Sequence, residues 1–77
     1  MDRFKRVGAI IKNRRRELSY SQSYIAEELG VSVSHISNIE NGRREIGAYH
    51  FSKLSDILNV DLIDLYSVRF QSGDIEG

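Results

Sequence analysis

Few side chains in this sequence are equipped for covalent or metal chemistry. His35 and His50 are its only imidazoles and it has no Cys, so neither a Cys–His nucleophile nor a thiolate zinc set can be assembled. The histidines are read as surface or groove-edge residues, and an enzyme, a bound metal, a cofactor and a small-molecule ligand are all set aside. Plentiful instead are cations and amides able to grip an anion. The net charge is zero, but the charges are segregated. Arg3, Lys5, Arg6, Lys12, Arg14, Arg15 and Arg16 face only Asp2 and Glu17 in the first eighteen residues, whereas from Ile46 onward Lys53 and Arg69 stand against Asp56, Asp61, Asp64, Asp74 and Glu76. One end is suited to a polyanion and the other would be repelled by it, although a merely solvated asymmetry fits the charges equally well.

These groups must be positioned by a small fold. Seventy-seven residues make one domain, since a chain of this size buries only about 60% of its unfolded surface. Residues 1–68 are expected to form it, with a flexible tail at 69–77. No apolar run near the N-terminus is long enough for a signal peptide or a membrane span, so a cytoplasmic protein without membrane contact is expected.

Proline is absent, and Gly30, Gly42 and Gly47 separate stretches whose apolar residues recur at helical spacing. The pattern predicts an all-α chain of five helices. The first runs from Arg3 to Leu18 with Phe4, Val7, Ile11 and Leu18 on one face, and Gly8 inside it marks a close helix contact. The four later starts share an apolar residue, a capping or small residue, and an apolar residue four places after the cap. They are Tyr20-Ser21 with Ile25, Val31-Ser32 with Ile36, Ile46-Gly47 with Phe51, and Val60-Asp61 with Leu65. Gly47 is the weakest of these caps. Ser21 and Ser32 lie eleven residues apart, so the second helix, Gln22 to Leu29, turns sharply at Gly30 into a third, Val33 to Asn41. That is helix-turn-helix spacing. The fourth helix offers Phe51, Leu54, Ser55 and Leu58, and the fifth Leu62, Leu65 and Tyr66.

Ser21-Gln22, Ile25-Ala26, Leu29-Gly30-Val31-Ser32, Ile36-Ser37-x-Ile39-Glu40-Asn41-Gly42, Lys53-Leu54 and Leu58-Asn59-Val60 together resemble the Cro and phage-repressor helix-turn-helix family, also called the xenobiotic-response-element family. With the first helix included, the resemblance covers residues 5 to 66. It implies a five-helix, lambda-repressor-like DNA-binding domain whose third helix enters the major groove of double-stranded DNA. Val33, Ser34, Ser37 and Asn38 then reach base edges. Asn38 is able to pair bidentately with adenine, while Val33 offers apolar contact where phage repressors often carry Gln. Gln22, Ser32, His35, Asn41, Arg43 and Arg44 are implied phosphate contacts, and Lys5, Lys12, Arg14 and Arg16 are further cations that either join them or are simply solvated. Arg15 and Glu40 occupy the places of an Arg–Glu ion pair that is partly buried in phage repressors.

The family binds palindromes as two-fold dimers. The fifth helix has more apolar residues than one face buries, so Leu62, Ile63, Tyr66, Val68 and Phe70 are expected at a homodimer contact. The function expected is a transcriptional regulator of the repressor kind. An alternative is a protein-interaction module, such as an antitoxin or an antagonist of another regulator, with a regulatory protein as partner.

Overall fold

The computed structural model describes residues 3–61. Four helices occupy them: α1 (Arg3–Glu17), α2 (Gln22–Leu29), α3 (Val33–Glu40) and α4 (Ala48–Leu58). The fifth helix, the contact formed by Leu62, Ile63, Tyr66, Val68 and Phe70, and the tail at 69–77 all lie outside the described residues. α1 and α3 stop one residue short of the expected ends, within the ordinary fraying of helix termini.

Two of the expected caps form, at Ser21 and Ser32. Ser21 accepts a hydrogen bond from the Tyr24 N–H at 3.0 Å and Ser32 from the His35 N–H at 3.1 Å. Each satisfies one of the four N–H groups a helix start leaves without a partner, a contribution of about 1 kcal/mol. Gly47 has no side chain to offer and makes no such bond.

All four helices end in one way. A residue of positive φ reverses the chain, its N–H returns three residues, and the next N–H returns five. Gly30 and Gly42 do this at φ 71° and 73°, Ser19 and Asn59 at 61° and 53°. The longer closing bonds are Tyr20 to the Arg15 carbonyl, Val31 to Ala26, Arg43 to Asn38 and Val60 to Ser55.

Val7, Ile11, Ile25, Ala26, Leu29, Ile36, Ile39, Ile46, Phe51, Leu54 and Leu58 form the core. α3 rests on α1 and α2, and α4 packs on the same two helices. Phe4 departs from expectation, for it is 38% exposed. It lies in the first turn of α1, whereas Val7 and Ile11 further along the same face are buried. Gly8 is the close contact. A Cβ there would land on the backbone carbonyls of Ile39 and Glu40, so only hydrogen lets α1 cross the C-terminal end of α3 at this separation.

Arg14 ties the remaining corner. Its Nε donates to the Leu58 carbonyl at 2.8 Å, across the last turn of α4, where a cation also meets the negative end of the helix dipole. Among the described residues no helix is long and apolar enough to cross a membrane.

Candidate nucleic-acid interface

α3 has two sides with opposite character. Ile36, Ile39 and Glu40 are buried. Ser34 is exposed, Asn38 is half-buried on the same outward side, Ser37 is half-buried and Val33 is 43% exposed. Among the described residues, nothing seals Ser34 and Asn38 inside the fold. Helical spacing explains the division, because residues three and four apart share a side, as Ser34 and Asn38 do.

The inward side is fixed by a polar network drawn from three helices. Arg15 of α1 donates through Nε to Glu40 Oε2 at 2.6 Å and through Nη2 to Glu40 Oε1 at 3.1 Å. The Glu40 side chain is 1% exposed and that of Arg15 10%. The remaining Arg15 nitrogen donates to the Tyr20 carbonyl at 2.9 Å, and Gln22 Nε2 of α2 donates to Glu40 Oε1 at 3.0 Å. The bidentate fork sets the rotation of α3 about its axis, and the Gln22 amide ties the start of α2 to the same carboxylate. No buried side-chain nitrogen or oxygen among the described residues lacks a partner, as a network this deep in the fold requires.

Along one edge of α3 this network forms the floor of an open cleft of about 570 Å³, lined by Lys12, Arg15, Arg16, Ser21, Gln22, Ser23, Val33, Ser37, Glu40 and Asn41. Lys12 and Arg16 stand one helical turn apart, and the N-terminal end of α2 points its N–H groups and positive dipole at the same space. Such a hollow suits a phosphate. Asn41 holds its amide toward Ser37 Oγ at 3.4 Å.

After α3 the chain turns through Arg43 and Arg44, both exposed. Gly42 lies against α1, so close that a Cβ would strike the Lys5 backbone. This contact anchors the arginine-bearing turn beside the start of α1. His35 is half-buried and meets His50 of α4 edge to face, with ring centroids 5.9 Å apart. Burial, then the positive charge of Arg44, then His50, hold the His35 imidazole below its ordinary range, so it is neutral at neutral pH.

The structure therefore sets Ser34 and Asn38, Val33 and Ser37, and Arg43 and Arg44 on the open side, with Ser32 exposed at the head of α3. Gln22 is committed through one amide hydrogen to the ion pair. Of the four uncertain cations, Lys12 and Arg16 line the cleft, Lys5 packs at Gly42, and Arg14 holds α4 and Glu17. His50 escaped the sequence reading as a neighbour of α3. Only the docking of α4 brings it there.

The family model described as helix-turn-helix matches residues 11–65. The chain is 38% identical over 67 residues to the ImmF control region 10 kDa protein of Bacillus phage phi105, covering 87% of this chain and 74% of that one. An uncharacterized HTH-type transcriptional regulator of Sinorhizobium medicae is 39% identical over 54 residues, 70% of this chain but only 39% of its own length. In three dimensions the fold is similar to that of the restriction-modification controller protein C.AhdI from Aeromonas hydrophila, with a TM-score of 0.71 and 22% identity over 80% of this chain and 94% of that one. With the matched segment beginning in α1 and running through both caps, the network and α4, the chain belongs to the helix-turn-helix family of Cro and phage-repressor type.

Proposed function

We propose that the protein is a sequence-specific, double-stranded DNA-binding regulator that lays α3 in the major groove. Ser34 and Asn38 read base edges, Val33 and Ser37 contact the same groove, and Gln22, Ser32, Asn41, Arg43 and Arg44 hold the flanking phosphates together with Lys12 and Arg16. One observation carries the reading. The side of α3 facing the fold is locked by a three-helix polar network, while the side bearing Ser34 and Asn38 is left open between a cationic cleft and an arginine turn.

The regulator works as a homodimer on a palindrome, because one module of this size reads too few base pairs for useful specificity. Leu62, Ile63, Tyr66, Val68 and Phe70 supply the contact, placing the acidic end of the chain away from phosphate. Repression is the expected outcome of occupancy. The similarity to a phage control-region protein supports it.

Selection of bound duplexes from a random pool tests the proposal directly. A palindrome with half-site centres about 34 Å apart is expected. Affinity should fall about 10³- to 10⁵-fold between 50 and 200 mM salt if six to ten phosphates are neutralised, roughly, per dimer. Failure to enrich any sequence, with a flat salt profile, would refute DNA reading. Enrichment of a single asymmetric site bound by a monomer would refute the dimer alone.

A further inference from the structure

The cleft beside Lys12 and Arg16 serves one edge of α3, yet a helix about 10 to 12 Å across in a groove about 12 Å wide lies close to a phosphate rail on both edges. At about 100° per residue, the buried Ile36, Ile39 and Glu40 define the inward side of α3 and Ser34 and Asn38 the outward one. Val33 and Ser37 fall on the edge that borders the cleft. His35 falls on the opposite edge, and the group beside it there is His50.

Resting on the DNA-binding reading above, we propose that His50 joins His35 and Arg44, which the family resemblance already implies as phosphate contacts, in one phosphodiester seat on the α4 edge of α3 that binds the DNA strand with uptake of a proton from solvent. Arg44 acts on His35 from the connecting turn. Tyr49 lies 5.6 Å from the His50 ring, centroid to centroid, and Lys53 sits over Tyr49 at 5.7 Å. Gly47 brings no side chain to the first turn of α4, where His50 stands.

The T-shaped geometry, with ring planes at 87°, limits the charge to one. An imidazolium edge on the face of a neutral ring is favourable, whereas a second proton would set two cations in contact. Without DNA, burial, Arg44 and His50 all oppose protonation of His35. A phosphodiester against the pair reverses the balance, because a nearby anion favours the charged imidazole. Binding then takes up a proton, and affinity rises as pH falls, by at most about tenfold per pH unit for one proton.

The sign is diagnostic. Because the folded-state value of His35 lies below the unfolded one, His35 contributes stability above the unfolded imidazole range, and that stability is lost as pH falls through the folded value. A general effect of acid on the fold would weaken DNA binding, opposite to the seat.

The test uses the full chain and a mixed-sequence duplex of about two helical turns, since phosphate contacts do not depend on sequence. At constant low ionic strength, lowering the pH from about 8 to about 6 should tighten binding about tenfold. His35→Gln and His50→Gln should each flatten the profile. Following the imidazole titrations by NMR in the intact protein needs no variant, and both should move upward when the duplex binds. Inorganic phosphate at matched ionic strength should leave them in place. Equal pH slopes in wild type and the His35→Gln/His50→Gln double variant, or titrations unmoved by DNA, would overturn the seat while leaving DNA binding intact. The same upward movement with inorganic phosphate alone would overturn its assignment to the DNA strand. Absence of duplex binding at every pH would overturn the seat together with the DNA reading beneath it.

Discussion

The inward and outward sides of α3 carry similar polar groups and use them in opposite ways. Glu40 faces in, with both carboxylate oxygens occupied by Arg15 and one of them also by Gln22. Ser34 and Asn38 face out, and neither side chain is called on by the fold's capping or its ion pair. Eight residues of helix thus divide between those that fix its orientation and those left available for something else. A polar group committed inside the fold is known by the loss of stability when it is removed. One held for a partner is known by the absence of that loss.

The sharpest way to break this contrast is to remove one half of the ion pair. Glu40→Ala leaves Arg15 deep in the fold with no carboxylate, a loss of about 3 to 5 kcal/mol. For a domain of this size that lowers the Tm by more than about 12 °C. Asn38→Ala should stay within about 0.5 kcal/mol of wild type. Replacing Arg15 and Glu40 together with apolar residues of similar volume should recover much of the loss, because no charge is then stranded. Equal and small shifts for Glu40→Ala and Asn38→Ala in a thermal melt would erase the distinction between the two sides.

Gly8→Ala probes the inward side without touching charge. In an exposed helix the change would add about 1 kcal/mol of stability. Here the new methyl meets the Ile39 and Glu40 carbonyls, which are backbone and cannot swing aside like the end of a long side chain. A net loss of about 1 to 3 kcal/mol is expected by chemical denaturation. A gain would mean that α1 and α3 slide apart freely.

On the outward side the effects belong to DNA. Asn38→Ala should relax preference at one base pair by about 1 to 3 kcal/mol, measured across a panel of single-position operator variants. Arg43→Ala should weaken all sequences alike and lower the salt slope by about one. Identical profiles for the two variants would mean that readers and clamps are not separate sets.

What was legible in the sequence divides along similar lines. Ser21, Ser32, Gly30 and Gly42 were readable because a cap or a left-handed turn is decided within a few residues. Phe4 was misplaced because periodicity says which face a residue occupies, not where the neighbouring helices stop covering it. The second role of Gln22 joins residues eighteen apart in sequence, and the His35–His50 contact depends on how α4 docks. No local pattern encodes either. The Arg15–Glu40 pairing, twenty-five residues apart, entered through resemblance, with two independent surface charges as the alternative.

A helix end that the sequence revealed, at Gly42, and one that it did not, at Ser19, offer the smallest and cleanest comparison. Gly42 and Ser19 perform the same reversal, at φ 73° and 61°, but Ser19 carries a Cβ into a region that costs an L-residue roughly 1 to 2 kcal/mol. Ser19 is exposed, so little packing is lost if it becomes Gly, and the closing bonds from Ser19 to Arg16 and Tyr20 to Arg15 are both backbone. Ser19→Gly relieves the strain while adding freedom to the unfolded chain, an opposing term of about 0.4 to 1 kcal/mol. A net gain of about 0.5 kcal/mol is expected in denaturant titration, with an unchanged m-value. Because the Tyr20 carbonyl also receives Arg15 Nη1, a loss instead of a gain would show that the serine holds this turn, and with it the ion pair, in a way that its backbone alone does not.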